Sequence, residues 1–173
     1  MNSNNDPFVF FLDMDGVLNN TRVHVSRGDE DCGNMFGGID PICVGFINTW
    51  ARLAEKYGEE VQIVLSSTWR ASHENSTTLD MMFGAMGLAP PVHKDFKTRR
   101  NAMTVADQTD IRGFQIADWL TDHPETTKWI IIDDSSDFTD DQLLRHVHTD
   151  VHDGILFRHH LAAIDLIEKI CIG

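Results

Sequence analysis

Hydrophobic residues fall along this chain in two patterns, short unbroken runs and runs at helical spacing, and the two alternate. "FVFFLD", Phe8 to Asp13, is apolar until its last residue, as expected of a strand buried on both faces. "VQIVLSS", Val61 to Ser67, and "KWIIIDD", Lys128 to Asp134, repeat that form, and a further strand is predicted near Val147 to Thr149. "DPICVGFINTWARLAEKYG" instead spaces Val44, Ile47, Trp50, Leu53 and Ala54 along one helical face. Asp40 is its predicted N-cap, Pro41 its first helical residue and Gly58 its stop. Further helices are predicted over Thr77 to Met86, over "IRGFQIADWL" with Asp110 as cap, around Asp140 to His146, and over "HLAAIDLIEKI".

Strands alternating with helices predict an α/β fold, a Rossmann-like and mostly parallel sheet with helices on both faces. Asn20 to Gly38, "NTRVHVSRGDEDCGNMFGG", is polar and glycine-bearing, and is expected to be a mobile flap. No repeat, low-complexity tract or Pro/Gly/Ser linker divides the chain. Its 173 residues, 42% hydrophobic, suit one domain over residues 1–173.

Charge narrows the partners. Fourteen Lys and Arg against 27 Asp and Glu leave a net charge of −13, a field that repels nucleic acid and anionic membrane. The opening "MNSNND" has no apolar signal core and no run approaches a membrane span, so the expected setting is soluble and cytoplasmic. Cys32, Cys43 and Cys171 show no CxxC spacing, so no disulfide framework is expected.

The chemistry concentrates where buried strands end. In open parallel sheets, ligands sit outside the carboxyl ends of the strands. Asp13 and Asp15 follow one strand, Asp133, Asp134 and Asp137 another, and Ser66 a third. Carboxylates so close do not all stay ionised without a counter-ion. An oxygen-only set favours Mg²⁺ over zinc. The histidines at 146, 148, 152, 159 and 160 have no supporting framework for zinc and are expected at surfaces and edges. A metal-bound carboxylate cluster beside a hydroxyl and an arginine suits phosphoryl transfer.

"FLDMDGVLN", "IVLSS" and "IIIDDSSD", in that order, resemble the first, second and fourth motifs of the haloacid dehalogenase superfamily of phosphohydrolases. The resemblance implies Asp13 as the nucleophile that forms an aspartyl-phosphate and Asp15 as general acid and base, its carbonyl also facing the metal. It implies Ser66, with Ser67 beside it, as contacts of the phosphoryl group, and Asp133 as a direct Mg²⁺ ligand with Asp134 or Asp137 as its partner. Arg112 is taken as the cation of the third motif, at a helix N-terminus whose backbone donors would add to phosphate binding; Lys94, Lys97, Arg99 and Arg100 are the competitors.

"VLSSTWR", "DIRGFQIADWL", "IIDDSSDF" and "HTDVHDGIL" together look like the branch found in Swiss Army Knife RNA-repair proteins. That likeness implies a phosphatase acting on an RNA or DNA end or a nucleotide. Alternatives are a small-molecule phosphomonoesterase and a non-enzymatic phospho-acceptor or binding module. Neither the flap nor the stretch from Ala71 to Asp110 is long enough for a full cap, which leaves room for a large substrate. "HKDFKTRR", His93 to Arg100, is the one compact basic run, read either as a solvated loop or as a guide for a phosphate backbone. Trp69 is read as a packing residue, with stacking on a base as its alternative; Arg70 would touch phosphate or balance the acidic site.

Overall fold

The structure is a computed structural model and describes residues 6–27, 38–69, 75–98 and 111–173. Five parallel strands form one sheet in the order β3-β2-β1-β4-β5. They are β1 (Phe8–Leu12), β2 (Val61–Leu65), β3 (Val92–Lys97), β4 (Trp129–Asp133) and β5 (His146–His148). The helices are α1 (Thr21–Arg27), α2 (Pro41–Lys56), α3 (Ser76–Ala85), α4 (Arg112–Asp122), α5 (Asp140–Leu143) and α6 (Phe157–Ile172).

All five residues of β1 are buried, because the alternating positions of this central strand serve two cores. Phe8, Phe10 and Leu12 pack with Ile47 and Trp50 of α2, Leu79 and Phe83 of α3, and Ala163 and Ile167 of α6. Val9 and Phe11 face the other way, onto Ile116 and Trp119 of α4. Each buried phenylalanine contributes roughly 2–3 kcal/mol by leaving water. An unbroken apolar run is what such a strand requires.

Strand order places the site. The chain builds β1, β2 and β3 outward in one direction, then returns to lay β4 and β5 on the other side of β1. The direction of winding therefore reverses between β1 and β4, and in open parallel sheets it is beyond the carboxyl ends at such a reversal that ligands bind. Asp13 and Asp133 stand at that point.

The predicted α2 forms as expected: Ile42 N donates to the Asp40 side chain at 2.9 Å and Gly58 closes the helix at φ +86°. Two elements depart from expectation. Thr21 to Arg27, assigned to the flap, is helical; Val23 N donates to Asn20 Oδ1 at 3.1 Å, and Arg22 pairs with the buried Asp40 at 2.5 Å. Capping and one ion pair hold α1, so no apolar stripe announces it. Residues 28–37 of the flap lie outside the described residues.

The basic run is not a loop through its first half. His93 to Lys97 belong to β3, an edge strand with His93 and Phe96 buried and Lys94 exposed. Charged residues on an edge discourage pairing with other chains, and they hide the strand from a hydrophobicity pattern. Arg99, Arg100, Arg70 and Asp110 lie outside the described residues. The N-cap of α4 is Ile111, which provides no side-chain cap.

Candidate active site

β1 ends at Leu12, yet the ladder continues one step: Asp13 N donates to Ile132 O at 3.0 Å. Leu12 pairs with Ile132 across the two strands, so the next residues, Asp13 and Asp133, are neighbours. Both are deeply buried, at 3% and 0% exposure. Two carboxylates removed from water would cost several kcal/mol each. Arg112, the first residue of α4, meets that cost: its guanidinium lies 2.9 Å from Asp13 Oδ2 and also hydrogen-bonds Asp133 Oδ2.

Electrostatics follow from this geometry. Burial, then the charge of Asp13, pushes Asp133 up to about 7 despite Arg112. Burial followed by the same charge raises Asp134. Burial alone would lower Arg112, but the charges of Asp13 and Asp133 outweigh it and hold the guanidinium firmly protonated. Among the described residues, one cation faces three carboxylates, which leaves a surplus of negative charge. Asp13, Asp133 and Asp134 each present an oxygen within 4.8 Å of the others. A donor set made only of carboxylate oxygens fits a hard divalent cation such as Mg²⁺.

Two loops press together to make this cluster. After Asp13 the chain turns on Met14, whose carbonyl accepts from Val17, Leu18 and Asn19 N–H groups. Gly16 sits in this turn at φ +77°, against Asp134, and a Cβ there would overlap the carboxylate. Only glycine meets both demands. Thr149, just past β5, ties in a third segment by donating to Gly16 O at 2.9 Å.

Asp15 and Asp137 stand apart from the cluster of three. Asp15 is exposed and accepts from Asn19 Nδ2 at 2.6 Å and from Trp69 Nε1 at 3.1 Å. Asp137 is also exposed; its Oδ2 accepts the Arg112 N–H at 2.9 Å and its Oδ1 the Ser135 hydroxyl. Burial tends to raise Asp137, but these hydrogen bonds outweigh it and lower its pKa. Asp137 thus caps the first turn of α4. The backbone donors expected to meet phosphate at this helix end are partly engaged: Gly113 N donates to Asp137 O at 3.1 Å.

β2 brings up the hydroxyls. Ser66 N donates to Leu12 O at 3.1 Å, and Ser66 and Ser67 are both fully buried. Ser67 Oγ accepts from Trp69 N at 3.3 Å. His148 and His152 are exposed as expected, whereas His159 is buried. His146 and His148 lie 2.9 Å from the carbonyls of Asp133 and Asp134 and brace the acidic loop from behind. Burial lowers His146 to about 4 and keeps it neutral. Asn19, Thr149 and the Trp69–Asp15 bond escaped the sequence reading. A short polar side chain in a turn carries no periodic signal.

Comparison with known proteins agrees with the motifs. A family model for the HAD domain in Swiss Army Knife RNA repair proteins matches residues 9–159, which takes in every strand of the sheet. No curated protein and no solved structure matches the chain. Membership supports a haloacid dehalogenase-type phosphatase in general. No described helix is long and apolar enough to cross a membrane. With the acidic strand ends, the buried serines and Arg112 gathered at one crevice, and with a match from β1 into α6, the chain belongs to the haloacid dehalogenase superfamily, in the group described as the HAD domain in Swiss Army Knife RNA repair proteins.

Proposed function

We propose that this chain is a Mg²⁺-dependent phosphatase working through an aspartyl-phosphate, and that it removes a terminal phosphate from a nucleic-acid end or a nucleotide. The observation that carries this reading is the guanidinium of Arg112 bonded to both Asp13 and Asp133. It fixes one Asp13 oxygen and leaves the other for attack. Magnesium held by Asp13, Asp133 and Asp134 would neutralise phosphoryl oxygens.

In the first half-reaction the free Asp13 oxygen attacks phosphorus, the bond from phosphorus to the leaving oxygen breaks, and Asp15 gives that oxygen a proton. Ser66 and Arg112 steady the phosphoryl group. In the second, Asp15 takes a proton from a water that attacks phosphorus, and the bond to Asp13 breaks. Phosphate leaves with Asp13 again a free carboxylate and Asp15 again protonated. The exposure of Asp15 suits it to meet leaving groups of different size.

The nucleic-acid part rests on the matched family's description and on β3, whose parallel course brings Lys97 to the same edge as Asp13. The net charge of −13 argues against loose backbone binding, so an end rather than a duplex is the expected target. Phosphate release should be measured with Mg²⁺ and with EDTA. The substrates would be an aryl phosphate, mononucleotides, and oligonucleotides carrying 3′- or 5′-phosphates, with Asp13→Asn as control. Mg²⁺-dependent release from oligonucleotide ends is expected. Release only from small esters would retain the chemistry and reject the nucleic-acid substrate; release equal in wild type and Asp13→Asn would reject the enzyme.

A further inference from the structure

We infer that Trp69 and Asn19 are positioning residues that aim Asp15 at the leaving group, which deepens the phosphatase reading and rests on it. A carboxylate on an exposed turn would ordinarily sample several rotamers. Here each oxygen of Asp15 meets its own N–H: Asn19 Nδ2 at 2.6 Å on Oδ1, and Trp69 Nε1 at 3.1 Å on Oδ2. Two donors on two oxygens fix the plane of the carboxyl group as well as its place. Each oxygen keeps a second lone pair, so the group still carries and delivers a proton.

Both donors are themselves held. Trp69 is 5% exposed and packs in the main core, so its indole cannot follow a moving partner. A tryptophan buried only for packing would place its N–H anywhere polar. This one spends it on the carboxylate two residues beyond Asp13. Asn19 Oδ1 lies 2.5 Å from His24 Nε2. With the amide oxygen facing His24, the NH₂ of Asn19 is the group that faces Asp15. Gly38 closes over this pair so tightly that a Cβ would overlap Asn19 and His24.

Proton delivery gives a test that packing cannot imitate. Nitrophenolate departs without a proton, whereas an alkoxide needs one. An acid that is present but misaimed therefore harms alkyl esters selectively. The quantity to measure is kcat/KM for 4-nitrophenyl phosphate and for glycerol phosphate, in wild type, Trp69→Phe, Asn19→Ala, Asp15→Asn and Asp13→Asn. kcat/KM reports only steps through departure of the leaving group, before hydrolysis of the shared phospho-enzyme. The alkyl-to-aryl ratio within one preparation is independent of how much protein is folded.

The ratio should fall about tenfold in Trp69→Phe and in Asn19→Ala, and further in Asp15→Asn, in line with the cost of a misplaced or missing acid. A ratio that falls in Asp15→Asn but holds at the wild-type value in Trp69→Phe and Asn19→Ala overturns the inference while leaving Asp15 as the acid. A ratio unchanged in Asp15→Asn removes the acid role and the inference with it. Hydrolysis undiminished in Asp13→Asn rejects the underlying phosphatase reading itself.

Discussion

The two acidic strand ends of this protein use one residue type for two different physical purposes. After β1, Asp13 is buried against Arg112 while Asp15, two residues on, is exposed and bonded to neutral N–H donors. At the end of β4, Asp133 is buried against the same arginine while Asp137, four residues on, is exposed and bonded to a backbone N–H and a hydroxyl. The inner pair concentrates charge where water is scarce, so it needs cations. The outer pair stays in solvent and is oriented by hydrogen bonds, so it needs only geometry. The ends differ in what the outer aspartate meets: Asp15 is held by Asn19 and Trp69, whereas Asp137 is spent on the start of α4.

The strongest way to break this contrast is to remove an inner charge. Asp13→Asn should lower kcat by about a thousandfold or more, since the nucleophile itself is gone, while circular dichroism reports an intact fold. Activity within tenfold of wild type would assign the chemistry elsewhere. Arg112→Met should cost about a hundredfold in kcat/KM. It should also lower the melting temperature in the absence of metal, because Asp13 and Asp133 then repel without a partner; an unchanged melting temperature would contradict the shared ion pair.

The inner pair should also show itself in pH. Asp133 is raised to about 7, so from about pH 4 to 7 the metal-free native state holds a proton that the unfolded chain has already lost, and it sheds that proton between 6.5 and 8. Stability from this group is therefore lost as pH rises through 7. Burial also holds His93, His146 and His159 below an ordinary imidazole, so loss of their protons by the unfolded chain over the same range raises stability, and the Asp133 contribution is read against Asp133→Asn. In EDTA the melting temperature of wild type should fall by about 2 °C from pH 6.5 to 8 relative to that of Asp133→Asn. The rise produced by Mg²⁺ should grow over the same range, since metal competes with that proton. A Mg²⁺ effect that shrinks toward pH 8 would speak against Asp133 as a ligand.

The smallest effect separates Asp134 from Asp137. Asp134→Asn should weaken the Mg²⁺-induced rise in melting temperature. Asp137→Ala should preserve that rise and instead cost about 1 kcal/mol of stability, the worth of an N-terminal cap. Loss of Mg²⁺ stabilisation in Asp137→Ala alone would reverse the assignment.

Much of this was readable along the chain because it is written in local patterns. β1 and β4 are unbroken apolar runs and β2 is apolar but for Gln62, all three running into polar residues, and α2 carries its own cap, first-turn proline and stop. The carboxylates and serines could be placed at strand ends for the same reason. β3 and α1 were missed because neither is stabilised by a period in its own sequence. β3 is an edge strand whose charged residues mask it, and α1 is secured by Asn20 and by Arg22 reaching Asp40, eighteen positions away. Nor does "DDSSD" reveal which second aspartate joins Asp133, since both spacings are equally plausible in one dimension.

The sequence by itself determined the α/β alternation, the strand ends that carry chemistry and the set of residues from which a phosphoryl-transfer site would be drawn. Local apolar runs and caps suffice for that, because they depend on neighbours in the chain. Only the tertiary structure decided how those residues divide their work. The register of β1 on β4 put Asp13 beside Asp133, and Gly16 let Asp134 close in. Trp69 Nε1 and Asp15 Oδ2, from residues 54 positions apart, meet at 3.1 Å. Burial and hydrogen-bond partners are set by segments distant in sequence, and it is these that make one aspartate a charge to be neutralised and another an arm to be aimed.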